Sequence, residues 1–389
     1  MTRGITLLFA VACGTSVANV YFAQPLLVTL GRDFSIGTAT VGAIVTLTQV
    51  GYGLGLFFLV PLGDLLDGRR LAVAQLLLLA GALTAVGTAG DAALLLVGLA
   101  AVGLLAVVTQ TLVAFAASLA PPGERGRVVG LVTSGVVTGI LLARTASGVL
   151  ADLAGWRSVY LTSAALTCAL ALALHRLLPS RPTAPRTSGG YGRLLRSTVT
   201  LFARERLLRI RALLALLVFA AFSVLWSSVA LPLSEPPLSL SHTAIGAFGL
   251  AGAAGALAAT AAGRLNDRGL SQRTTGIALT LLTASWLPLA FTRHSLWALA
   301  IGVIVLDLAV QAVHVTNQTL IHALRPEAGS RLIGGYMVFY SLGSASGAFA
   351  ATTLYAAAGW PAVCALGAAL SLSALLLWAA TTPRRREPR

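Results

Sequence analysis

Residues 122–156 read PGERGRVVGLVTSGVVTGILLARTASGVLADLAGW, and residues 326–360 read PEAGSRLIGGYMVFYSLGSASGAFAATTLYAAAGW. Laid one on the other, Pro122, Arg127, Gly130, Gly139, Gly155 and Trp156 recur as Pro326, Arg331, Gly334, Gly343, Gly359 and Trp360, each 204 positions on. Upstream, Gly63-Asp64-Leu65-Leu66-Asp67 recurs as Gly263-Arg264-Leu265-Asn266-Asp267, 200 positions on, so one small gap reconciles the two offsets. Abundant Gly and Ala do not by themselves align Pro, Arg and Trp at a constant shift. The chain reads as two parallel copies of one unit.

The material between the matched positions is membrane-grade. Of 389 residues, 57% are hydrophobic and only 10% charged, and the mean hydropathy is +0.87. A soluble domain carries about 25% charged residues. Twelve apolar stretches long enough to span a bilayer can be cut, at 5–29, 38–62, 71–89, 92–118, 128–152, 157–178, 210–233, 242–262, 273–292, 296–319, 332–356 and 360–381. They are called spans 1 to 12. Short breaks rich in Pro, Gly, Asp and Arg separate them. The expected fold is an all-α membrane bundle of twelve helices in two six-helix repeats. Residues 1–178 form the first bundle, 179–209 a polar linker and 210–389 the second bundle. The linker's end, from Tyr191 to Arg211, has the pattern of an amphipathic helix on the membrane surface. Residues 5–29 are too long for a signal peptide's apolar core and read as a retained first span.

All 27 basic residues are arginine, and the formal net charge is +15. Such a balance could point to nucleic acid, but its placement does not. With both termini inside, 23 of the 27 fall on interior segments; only Arg32, Arg157 and Arg293 are exterior, and Arg144 lies within span 5. This bias orients the chain with its termini in the cytoplasm and its basic face against anionic lipid. Arginine without lysine, with abundant Ala and Gly, suggests a high-GC bacterial genome, and the expected location is the bacterial cytoplasmic membrane. Cys13, Cys168 and Cys364 lie far apart in apolar stretches without metal spacing, and read as small buried residues. No metal or cofactor is expected.

Gly63-Asp64-Leu65-Leu66-Asp67-Gly68-Arg69-Arg70, between spans 2 and 3, resembles the loop signature of the major facilitator superfamily. Gly263-Arg264-Leu265-Asn266-Asp267-Arg268-Gly269 is similar to it in the matching loop between spans 8 and 9. Gly68 stands where that pattern usually has a basic residue. Stretches 19–27 and 139–148 look like those of twelve-helix bacterial efflux permeases, a branch that includes sugar and nucleoside exporters and drug:proton antiporters, some conferring multidrug resistance. Ile140 stands where the antiporter pattern of span 5 has proline. The resemblance implies a gate on the inner side. Gly63 and Gly263 would allow close helix approach, Asp67 and Asp267 would face the positive N-terminus of a neighbouring helix, and Arg70, Arg127 and Arg268 would complete the set. For Asp67 the implied partner is the inner end of span 11 in the outward-open state. The resemblance also implies that spans 1, 4, 7 and 10 surround a central cavity. There Asn19, Gln24 and Gln110 would supply polar contacts, and Tyr21, Phe222 and Trp226 aromatic wall; helix glue or plain packing is the alternative for each.

Two ionisable residues sit at membrane depth, where insertion costs about 2.5–3.5 kcal/mol each and function is the usual reason. Arg144 lies roughly 12 Å from the outer end of span 5, and Asp307 roughly 16 Å from that of span 10, at 1.5 Å per residue. They are expected to pair directly or to face one cavity. Asp307 is the candidate proton carrier and Arg144 its tuner; a static ion pair is the alternative. Asp307, Gln311, His314 and Gln318 share one face of span 10. His314 is either a proton relay or a core histidine held by Asn317 or a carbonyl. With no nucleotide-binding loop and no nucleophile–base set, the reading is a monomeric secondary transporter that exports a small organic molecule against protons. Uptake symport of a sugar or other metabolite is the alternative, with a membrane enzyme or a transport-dead sensor more remote.

Overall fold

Gly155 and Gly359, the repeated glycines, both adopt left-handed backbone, with φ of 77° and 72°. A side chain is strained there, so glycine sets the sharp turn between spans 5 and 6 and again between spans 11 and 12. The tryptophan after each is buried and hydrogen-bonded through its indole nitrogen: Trp156 to Asp33 Oδ2 at 2.7 Å and Trp360 to the Leu289 carbonyl at 2.8 Å.

The computed structural model describes residues 3–121, 124–178, 190–324 and 329–382. The fold is all-helical. Among the described residues the spans run 3–33, 43–64, 68–87, 92–119, 125–154, 156–177, 206–234, 242–267, 271–289, 296–324, 329–358 and 360–381. Spans 1, 8 and 9 are interrupted; the others lie in helices long and apolar enough to cross a membrane. Span 1 loosens after Ala18 and re-forms through a 3-10 turn at Gln24–Leu26, where Pro25 removes a backbone donor. Asp67, Asp91 and Ser241 cap spans 3, 4 and 8 by accepting from a backbone N–H three residues on.

The expected linker helix is present but ends earlier. It runs Tyr191–Arg204, and span 7 begins at Arg206 rather than 210. Arg206 and Arg209 therefore join Arg211 in span 7. The Tyr191 hydroxyl donates to the Phe58 carbonyl of span 2, and Phe202 stacks on Phe339 of span 11 with ring centroids 5.3 Å apart. Cys13 and Cys364 are buried as expected, but Cys168 is exposed because it lies on the outward face of span 6.

Close helix crossings repeat in the two copies. A Cβ on Gly135 or Gly139 would overlap the Ala10 or Gly14 carbonyl of span 1; one on Gly343 or Gly347 would overlap the Leu216 or Ala220 carbonyl of span 7. Gly139 and Gly343 are a repeat-matched pair, so the same small residue serves the same crossing twice.

The first six spans and the last six meet at the arginine-poor face. Span 11 joins span 2 and the turn before it there, through Thr46 to the Ala345 carbonyl at 3.0 Å and Thr353 to the Ala39 carbonyl at 3.0 Å. Spans 5 and 8 join through Thr145 to the Gly246 carbonyl at 3.0 Å, and Gly148 leaves no room for a Cβ against His242. At the arginine-rich face the spans part. Among the described residues, Gly63, Gly126, Gly130, Gly263 and Gly334 have nothing within 4 Å of where a Cβ would stand. The close approach expected at Gly63 and Gly263 is thus absent, because this arrangement is open on their side.

Candidate functional site

Four spans converge where the closed contact ends. Arg144 of span 5 is 3% exposed, and its Nε donates to Gln24 Oε1 of span 1 at 2.6 Å. Its guanidinium lies 3.8 Å from the centre of the Trp226 ring of span 7, with Tyr21 at 5.0 Å and Phe222 at 5.7 Å. A desolvated cation on an indole face gains about 2 kcal/mol or more. The Trp226 indole N–H in turn donates to Asp307 Oδ1 of span 10 at 3.1 Å. Of the two arrangements open for Arg144 and Asp307, the direct pair does not form: they are not among the ion pairs of the described residues, and Trp226 lies between them and contacts both. Arg144 Nη2 is buried with no hydrogen-bond partner. Buried charge left partly unsatisfied at membrane depth is a marker of function rather than of stability.

The local backbone explains how two charges fit so tightly. Span 8 contains Gly246, Gly249, Gly252 and Gly255, spaced by three, and residues Phe248–Gly252 are 3-10 helix. Three residues per turn place such a series on one face. A Cβ on Gly246 would meet the Arg144 carbonyl, on Gly249 the Arg144 side chain, on Gly252 Asp307 Oδ2, and on Gly255 Gln311 Cγ. An α-helical period does not reveal this strip; the spacing of three is its signal in the sequence.

Other candidates are distributed less centrally. The Tyr21 hydroxyl bonds the Tyr340 hydroxyl at 2.9 Å and so crosses between the two copies. Asn19 is occupied within the first six spans: its amide donates to the Thr15 and Ser16 carbonyls, and its Oδ1 accepts from Ser163. That is the helix-glue arrangement rather than a free polar contact. Gln110 lies beside the Tyr52 hydroxyl. Gln311 packs on Gly255. His314 is held by the Tyr336 hydroxyl at 2.9 Å and Gln318 at 3.2 Å, among Phe219, Tyr336 and Tyr340, and not by Asn317. Of the gate residues, Asp67 accepts from the Arg70 backbone at 2.8 Å, so here it caps its own helix rather than facing a neighbour. Arg70, Arg127, Asp267 and Arg268 are exposed on the open side. Pro122 and Pro326 lie outside the described residues.

A latch on the arginine-poor face was not anticipated. Asp152, near the end of span 5, accepts from His242 Nδ1 at 2.6 Å, the His242 backbone at 3.3 Å and the Thr243 backbone at 2.8 Å. His242 Nε2 bonds Thr29 of span 1 at 2.7 Å. A carboxylate at the start of span 8 also complements that helix's dipole. Removing it with Asp152→Ala should weaken the closed contact by about 2 kcal/mol, roughly a 30-fold shift toward opening at this face. The modification rate of Ala348→Cys, buried against Gly42, by an impermeant thiol reagent measures it; an unchanged rate would refute the latch.

The model of the Major Facilitator Superfamily matches residues 7–255 and 211–389. The uncharacterized transporter YgaY of Escherichia coli O157:H7 is 46% identical over 378 residues, covering 97% of this chain and 95% of that protein. The probable transporter SCO4007 of Streptomyces coelicolor is 33% identical, covering 97% and 86%. A probable sugar efflux transporter of Helicobacter acinonychis is 24% identical, covering 90% and 88%. Among solved structures, a bacterial homolog of the human lysosomal transporter Spinster, inward-facing and unoccupied, superposes with a TM-score of 0.74 at 15% identity, covering 97% of this chain and 95% of that one.

Proposed function

Because the chain belongs to the major facilitator superfamily, a family of membrane transporters, we propose that it exports a small organic molecule in exchange for protons by alternating access. Residues 1–178 and 206–381 are the two bodies that rock, joined by the linker whose described helix ends at Arg204. The arginine-rich face is cytoplasmic in a bacterial inner membrane, by the positive-inside rule. The present arrangement, parted on that face and latched on the other, then receives substrate from the cytoplasm.

The single observation that carries this reading is the linked set Gln24–Arg144–Trp226–Asp307, buried where the two bodies meet. Asp307 is the carboxylate that takes a proton from the exterior and releases it inward. Arg144 and the aromatic residues hold the substrate. Asp307 shares Trp226 with Arg144, so protonation on one body alters the polar partner of a residue that contacts the other. The sugar-exporter relative makes sugars the first substrates to try. Proteoliposomes loaded with labelled sugars, nucleosides or cationic dyes, under an imposed pH gradient, test direction and coupling together. Export predicts that substrate moves toward the acidic side. Movement away from the acidic side would establish symport, and flux indifferent to the gradient would remove proton coupling.

A further inference from the structure

A second buried arginine lies outside this set. Arg211 of span 7 is 2% exposed, and its Nη1 donates to Thr275 Oγ1 of span 9 at 3.3 Å and Asn317 Oδ1 of span 10 at 3.1 Å. Both acceptors are neutral. Among the described residues no carboxylate lies within ion-pair distance of it. Its Nε is buried with no acceptor, and the Asn317 amide nitrogen beside it has only the Tyr336 hydroxyl near it, outside good hydrogen-bond geometry. On the preceding residue, Thr316 donates to Asn266 Oδ1 at 3.3 Å, and the Asn266 amide nitrogen is likewise buried without an acceptor. What remains unmatched on these three side chains is donor capacity, attached to a cation.

Burying a guanidinium without a counter-charge is strongly unfavourable, and neutral acceptors do not offset its charge. Arg211 stands five residues inside the start of span 7, about 8 Å from the arginine-rich face at 1.5 Å per residue. Exposed Arg273 and Arg209 lie at the same end of the bundle and raise the local anion concentration. The fork of guanidinium donors, supplemented by amide N–H groups, suits a polyatomic oxyanion with several acceptor oxygens better than a single-atom ion.

We propose that Arg211, Asn317 and Asn266 form an anion site in the C-terminal bundle, for a phosphate group supplied either by inorganic phosphate or by a lipid headgroup. The site ties spans 7, 9 and 10 to the second loop signature through Asn266. It is separate from the Arg144 set and independent of the transport reading.

Thermal unfolding of the full chain in micelles of a phosphate-free nonionic detergent tests it, with inorganic phosphate added at constant ionic strength in one arm and phosphatidylglycerol doped into the micelle in the other. A saturable rise in Tm of several degrees is expected in one arm, and that arm names the source. Asn317→Asp places a carboxylate where Asn317 Oδ1 already meets Arg211. It should raise Tm without added anion and abolish the response, and this variant keeps the test intact if Arg211→Gln does not fold. No response in either arm, or a full response retained in Asn317→Asp, overturns the proposal. So does Glu327→Gln lowering Tm as Arg211→Gln does, because the counter-charge would then come from the chain.

Discussion

Asp307→Asn should reduce gradient-driven accumulation to equilibrium while leaving exchange of substrate for substrate intact. Asparagine keeps the size of the side chain and an oxygen to accept from the Trp226 indole, so the site's geometry survives. What it loses is the ability to alternate between charged and neutral forms. One-for-one exchange against a gradient of two pH units, about 2.7 kcal/mol, supports roughly 100-fold accumulation. The variant's ratio should be near one. Flux in proteoliposomes with and without the gradient measures both quantities. Wild-type accumulation by Asp307→Asn would move the proton carrier elsewhere, with His314 the next group to replace.

Gly148→Leu should stop transport without unfolding the protein, whereas Gly139→Leu should prevent folding. Both glycines lie on span 5 and both leave no room for a Cβ, but they face different partners. Gly139 meets the Gly14 carbonyl, inside the first bundle; Gly148 meets the His242 carbonyl, across the contact between bundles. If the bundles move as units, the first clash is present in every state and the second only when the arginine-poor face is closed. Overpacking against backbone costs about 3 kcal/mol, which displaces the closed state more than about 100-fold. Yield and monodispersity separate the two variants, and labelling of Ala348→Cys reports the opening. Gly148→Leu transporting at the wild-type rate, or Gly139→Leu folding normally, would contradict the division into two rocking bodies.

These contrasts mark what the sequence carried and what it did not. The twelve spans were legible because apolar length and polar breaks are local properties. Gly155 and Gly359 were legible because a left-handed turn leaves glycine as its imprint in both copies. Arg144 and Asp307 stood out because a charge in an apolar stretch is conspicuous one residue at a time. Trp226 between them was not legible, since a ring's position depends on packing among four spans. Arg211 was legible only as the end of a membrane-surface helix and the second residue of span 7; the start of span 7 at Arg206 places it more than a turn inside the bundle. The Asp152 latch joins residues 90 apart in sequence and left no periodic trace.

The unequal exposure of the three cysteines has a practical consequence. Cys13 and Cys364 are buried, and Cys168 lies on the lipid-facing side near the middle of span 6, so water-borne thiol dyes and spin labels find little native thiol in the folded chain. Cys168→Ser therefore gives a quiet background from a single outward-facing change. Because the chain has no lysine, amine-directed fluorophores decorate no side chain either. Arg127→Cys and Arg264→Cys sit exposed on opposite rims of the parted face. A spectroscopic ruler attached there would follow a single molecule through its cycle with almost no native signal to subtract.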